Sequence, residues 1–183
     1  MSKRLLALVA CLALAAPVGA AQANQNKDFR IAHDVIASIN DYTLFTVFDD
    51  VSVGVENGIV TLDGKVTMPY KRSDIEKRAA AVDGVREVSN RISVLPVSLF
   101  DNDLRTQIAR SIYGNSNFWD YAIMRNPPIH IVVDRGHVTL TGVVRSNVDR
   151  MLARSLANQF NAFSVTSKLK TDAEVNDERA ESD

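Results

Sequence analysis

The chain holds 183 residues, with 21 basic and 22 acidic side chains for a formal net charge of −1, and one cysteine, Cys11. If Cys11 leaves with the N-terminal segment, disulfides and thiolate metal sites are excluded and stability rests on burial alone. The near balance of charge hides an asymmetry: residues 27–96 carry 9 basic and 11 acidic side chains, residues 101–170 carry 9 and 5, and residues 171–183 hold six acids against Arg179.

Residues 1–23 read as an export signal. Lys3 and Arg4 form a short positive region, Leu5 to Ala16 is an apolar run, and Ala21-Gln22-Ala23 offers small residues for cleavage after Ala23. The run is shorter than the about 20 residues a membrane span needs, so the mature chain is expected to have no transmembrane segment. Leu8-Val9-Ala10-Cys11 also fits a lipoprotein cleavage site, but Cys11 sits in the middle of the apolar run rather than at its end. Signal cleavage near Ala23 is therefore the expectation, and lipidation of Cys11 is disfavoured.

Ala32, Val35, Ile36 and Ile39 recur at helical spacing. Val51, Val53 and Val55 alternate, as do Val60, Leu62 and Val66, which predicts two strands. Asn57-Gly58 between them suits a two-residue type I′ turn, where both residues need positive φ. Gly64 falls on an inward position, where the close approach of a helix backbone is expected. Pro69 opens a second helix striped by Ile75, Ala79 and Val82, and Gly84 ends it. Val88, Ile92 and Val94 supply a last strand.

With a shift of 78, Gly58 falls on Gly136, the triplet Val-Thr-Leu recurs, and Gly64 falls on Gly142. The second copy follows the same order. Leu104, Ile108 and Ile112 stripe a helix capped by Asp101 or Asp103. Ile129, Ile131 and Val133 pair with Val138, Leu140 and Val144. Ser146 caps a helix carrying Ala153, Ala157 and Phe160, and Val165 with Leu169 end the copy. The order α-β-β-α-β, twice, predicts an α+β chain of two small two-layer sandwiches, each a three-stranded sheet covered on one face by two helices. The expected units are 24–96 and 101–170, joined by a linker at 97–100 and followed by a disordered acidic tail at 171–183.

The pattern V-x-V-x-x-x-G-x-V-x-L-x-G-x-V, then a helix ending near Gly-Val and V-x-N-x-[IL], resembles the BON domain (bacterial OsmY and nodulation). In the first copy Val53, Val55, Gly58, Val60, Leu62, Gly64, Val66, Gly84, Val85, Val88, Asn90 and Ile92 all match. In the second, Ile131, Val133, Gly136, Val138, Leu140, Gly142 and Val144 match, but Asn161-Ala162-Phe163 stands where Gly-Val belongs and Ser167 replaces the asparagine. The resemblance implies a non-catalytic module of the bacterial envelope. Similar two-domain proteins are periplasmic, are linked to osmotic and envelope stress, and associate with phospholipid surfaces.

Residues for such contact concentrate in the second copy. Phe118, Trp119 and Tyr121 precede Arg125; Arg105 and Arg110 lie on one helix, and Arg150 and Arg154 share a face of another. Cations suit anionic head groups and amphipathic aromatics suit the interface. The competing reading makes the aromatics the plug of a small core and the arginines a solvated face. A chaperone-like or protein-interaction module using exposed sheet edges, and a small-ligand or glycan binder using Trp119 and Tyr121, are the alternatives. Enzyme chemistry finds little support. His33, His130 and His137 lack metal-ligand spacing, and Asp49-Asp50 as adjacent strand residues would face opposite ways. No cofactor is expected, and the lack of a G-x-x-G loop argues against nucleic acid.

Overall fold

The computed structural model describes residues 18–182; the apolar run and Cys11 lie outside them, while residues 18–23 belong to the first helix. The first unit runs α1 (Val18–Asn40), β1 (Asp50–Glu56), β2 (Ile59–Val66), α2 (Pro69–Ala80), β3 (Glu87–Asn90) and β4 (Ser93–Val94). The second runs α3 (Leu99–Tyr113), a 3-10 turn at Ser116–Phe118, α4 (Trp119–Ala122), β5 (Ile129–Asp134), β6 (His137–Val144), α5 (Asn147–Ala157), β7 (Ser164–Ser167) and β8 (Lys170–Thr171). In each unit an antiparallel hairpin is extended by parallel pairing of its second strand with the last segment. That last segment is broken in two, so each sheet has four strands instead of three: β3 and β4 both pair with β2, and β7 and β8 both pair with β6.

Both hairpins turn on two residues at positive φ: Asn57 at 51° and Gly58 at 77°, then Arg135 at 51° and Gly136 at 78°. Each turn is held by an aspartate on the unit's first helix. Asp28 accepts the N–H groups of Asn57 and Gly58, and Asp101 accepts those of Arg135 and Gly136. Asp101 is fully buried in this role, so it is not the helix cap; Ser98 is, its hydroxyl accepting the N–H of Asp101 at 3.1 Å. Gly64 and Gly142 lie against strand backbone rather than helix. An added Cβ would collide with the carbonyl oxygens of Asp50 and Pro128 respectively.

One core gathers Ile31, Val35 and Ile39 of α1 with Val60, Leu62, Val66, Ile75 and Ala79. Ile36, expected on that stripe, is instead 45 % exposed, because the buried face runs through Ile31. The other core gathers Leu104, Ile108, Ile112, Phe118, Tyr121, Ile129, Ile131, Val133, Val138 and Leu140 with Ala153 and Ala157.

The short linker brings the units together, and the connection between α1 and β1 locks them. Phe48, of the first unit, packs against the core of the second. The Val47 carbonyl accepts the Ile131 N–H at 2.6 Å, and His130 Nδ1 meets the Asp49 carbonyl at 2.6 Å. Phe48→Ala is therefore expected to destabilise the second unit by about 2–3 kcal/mol although the residue belongs to the first. Amide exchange at Ile131 and Leu140 is the measurement, and unchanged protection there would contradict the coupling.

The Asp49 side chain anchors this connection. It is fully buried and takes hydrogen bonds from the N–H and hydroxyl of Thr46, the N–H and hydroxyl of Thr67, and Lys71 Nζ at 2.6 Å. Lys71 is itself only 4 % exposed and also reaches the Thr67 hydroxyl.

The acidic tail departs from expectation. Thr171 belongs to β8 and residues 172–182 form a helix, α6 (Asp172–Ser182), in place of a disordered tail. Asp172 and Glu174 lie in its first turn, where a helix favours negative charge. Glu174 accepts two hydrogen bonds from Arg150, and Glu178 accepts two from Lys170.

Candidate functional site

The structure separates the residues expected at a membrane-contact site. Arg105 is 4 % exposed, and its guanidinium donates to the Val133 carbonyl at 2.5 Å and to Asn102 Oδ1 at 2.6 Å. Burial lowers its pKa while the nearby carboxylates of Asp101, Asp49 and Asp134 raise it, so the charge is an internal brace that cannot reach a head group. Phe118 and Tyr121 belong to the core, their rings stacked at 5.8 Å, and the Tyr121 hydroxyl accepts the N–H of Arg145. Trp119, between them in sequence, points the other way and is 66 % exposed, beside exposed Ile123 and Met124. Three residues apart on a helical turn share a face and the one between does not, which sorts the aromatics.

The other cations divide similarly. Arg150 is engaged with Glu174 and the Leu169 carbonyl. Arg125 reaches back to Asp41 at 3.4 Å. Arg110 and Arg154 are exposed, and their side chains make no hydrogen bond or ion pair among the described residues. Gly84 at φ 90° faces Ile31, and like the turn glycines it serves the fold.

A further set of exposed apolar residues lies at the turn end of the second unit. Val97 is 97 % exposed, Leu99 83 %, Phe163 74 % and Phe100 48 %. Phe163 is held across the hairpin by its N–H, which donates to the Gly136 carbonyl at 2.8 Å. Its ring stacks on Phe100 at 6.2 Å and meets His137 edge-on at 5.8 Å. Sequence reasoning missed this group. The traces were there: Leu99 falls off the Leu104 stripe, Val97 sits in the linker, and Phe163 replaces a family glycine-valine pair.

No arrangement for catalysis emerges among the described residues. They contain no group of three histidine, cysteine or acidic side chains placed to hold a metal ion. The buried Asp49–Lys71 pair is closed from solvent, and its carboxylate already accepts five hydrogen bonds. No described helix is long and apolar enough to cross a membrane.

What the fold defines is a tandem duplication of a small α+β module. The profile of the BON domain matches residues 27–96 and again residues 101–173, and the chain belongs to the BON domain family. No curated protein matches the chain. Among solved structures, it is similar to CdsD of Chlamydia trachomatis, described as a structural protein of the type III secretion system. That match has 12% identity, covers 82% of this chain and 97% of the other, and has a TM-score of 0.28. The C-terminal domain of the same protein matches at 13% identity over 76% of this chain and 96% of the other, with a TM-score of 0.27.

Proposed function

We propose that this is an exported, non-catalytic protein of the bacterial envelope whose second unit docks reversibly on anionic phospholipid. Membership of the BON family supports a non-enzymatic envelope-associated module. The observation that carries the docking surface is the group of Val97, Leu99, Phe100 and Phe163, solvent-exposed on a unit with a basic excess. A stacked aromatic pair with two aliphatic neighbours suits the boundary between head groups and acyl chains. Full burial of each such side chain contributes roughly 1.5–3 kcal/mol, and each nearby cation adds about 1 kcal/mol at an anionic surface. Arg135 lies on the adjoining turn, and Arg110 and Arg154 are unengaged cations elsewhere on the same unit. Co-sedimentation with phosphatidylglycerol vesicles is expected to fall at least tenfold in the pair Leu99→Ser, Phe163→Ser. Arg110→Glu with Arg154→Glu should weaken binding less and make it less sensitive to salt. Undiminished binding by the Leu99→Ser, Phe163→Ser protein would exclude this surface.

A second reading, capture of an extended protein segment, is favoured by one feature. On β1 the residues Val51, Val53 and Val55 turn their backbone groups away from β2 and find no partner among the described residues. On β5 the corresponding edge is covered. The Ile129 and Val133 carbonyls accept from Tyr113 and Arg105, and the Ile131 N–H donates to the Val47 carbonyl. An open edge is a site for strand addition. Suppressed aggregation of an unfolded client, without lipid binding, would favour this reading.

A further inference from the structure

Between the two units lies a cleft of about 460 Å³. We propose that it binds a small anion that also carries hydroxyl groups, of the phosphorylated-polyol class. The size falls in the range of small-molecule sites, and junctions between domains are a preferred place for them. Asp50, Gly64 and Lys65 of the first unit form one wall. Val132, Asp134, Arg135, His137, Thr139, Thr141 and Lys168 of the second form the other. The second wall is the sheet face turned away from α3 and α5, so its alternate residues are free to be polar, and all but Val132 are.

Charge selects the anion. Lys65 Nζ lies 2.6 Å from Asp134 Oδ2, so these two neutralise each other across the cleft. Among the described residues the Arg135 and Lys168 side chains make no hydrogen bond or ion pair, and Asp50 is the one further acid on the walls. Two cations beside one carboxylate leave the space net positive. An anion entering here meets a guanidinium and an ammonium that are not already paired, and only the Lys65–Asp134 pair must open for it to reach the wall behind.

The uncharged lining selects hydroxyls. Asp134 Oδ1 and Thr141 Oγ1 are sealed from solvent without a hydrogen-bond partner, an uncommon state for buried polar atoms. The first requires a donor and the second takes either role, and a polyol hydroxyl a few bonds from its phosphate supplies both while the phosphate stays with the cations. Thr139 adds a further hydroxyl on the same face. An occupant with a hydroxyl near its phosphate meets the whole set when it displaces the Lys65 side chain from the wall.

Because both units supply a wall, the ligand would bridge them. The inference does not rest on the phospholipid reading: Arg135 and His137 adjoin both places, but the variants at Thr141 and Lys168 lie outside the apolar group at Leu99 and Phe163. The same chemistry reaches the protein as a free solute or as a lipid head group, so the test has two arms. In the first, the mature chain is titrated with glycerol 3-phosphate by heteronuclear NMR. Saturable shifts are expected at Lys65, Thr139, Thr141 and Lys168, with glycerol alone giving none. Lys168→Glu should weaken binding at least tenfold, and Thr141→Val about fivefold. Lys168 is exposed, so its variant should keep the native amide dispersion. In the second arm, phosphatidylglycerol vesicles compete with the soluble probe. Competition abolished by Lys168→Glu identifies the head group as a source, and lack of competition identifies the free solute. The proposal is overturned by absence of saturable shifts at millimolar probe, by inorganic phosphate binding as well as glycerol 3-phosphate, or by Lys168→Glu binding normally.

Discussion

Replacing Asp49 with alanine is expected to destabilise the protein by about 3–5 kcal/mol, measured by urea unfolding, although the residue touches no proposed ligand. The change removes the acceptor of five hydrogen bonds and leaves Lys71 buried without a counter-charge. An unpaired buried ammonium is the costly outcome; removing both partners is not. The pair Asp49→Ala, Lys71→Met should therefore recover most of the loss. Equal damage in the single and double variants would show that the threonine contacts, rather than the ion pair, carry the stability.

The same group sets a pH dependence. Burial alone would raise the pKa of Asp49, but the donors from Lys71, Thr67 and Thr46 together hold it below the ordinary carboxylate range. The unfolded chain, with a carboxyl near 3.9, binds the proton first as pH falls. Asp49 thus contributes its full stabilisation above about pH 4 and loses it as pH descends toward the lower folded pKa. Asp134 acts in the same direction, its pKa lowered by the hydrogen bond from Lys65. The acid limb of unfolding should therefore flatten in the Asp49→Ala protein.

Gly142→Ala is the second large effect, at about 3–5 kcal/mol, read as loss of the second unit's cooperative melting. Gly142 holds φ at 108°, which L residues rarely adopt, and its added methyl would meet the Pro128 carbonyl oxygen. Strained backbone costs of order 1–3 kcal/mol and forced overpacking a similar amount. Gly54→Ala is the control. Nothing lies within 4 Å of its added Cβ, so a change under about 0.5 kcal/mol is expected. A mild Gly142→Ala would mean that β5 can shift away from β6 at Pro128.

The duplication was readable because period-2 alternation and turn chemistry are local. Val53 opposite Leu62 and Val133 opposite Val138 follow directly from the spacing and the two-residue turns. The split of the last strand around Arg91 and Ile92 was not, since four residues with one apolar pair satisfy either description. The surface was read less well than the core. Arg105 and Tyr121 had the composition of an interface, but whether a helical arginine faces a sheet edge or water depends on the element packed beside it. In the sequence Asp49 draws notice only as half of a carboxylate pair with Asp50, and its buried role goes unread because a carboxylate at a strand's start is ordinary there. Only the folded arrangement brings Thr46, Thr67 and Lys71 around it. The α6 helix was likewise invisible in a composition typical of disorder, because Arg150 and Lys170, which hold it, belong to earlier segments.

The Val47–Asp49 contact with β5 bears on how the gene can be cut. A fragment starting at the linker would keep every residue of the second unit's own core but lose the cover on its outermost strand. The bared Ile131 amide and the notch left by Phe48 would then invite edge-to-edge association between fragments. A contiguous piece of the second repeat that keeps this cover must therefore begin before Val47, and so carries the first unit's strands and α2 along with it.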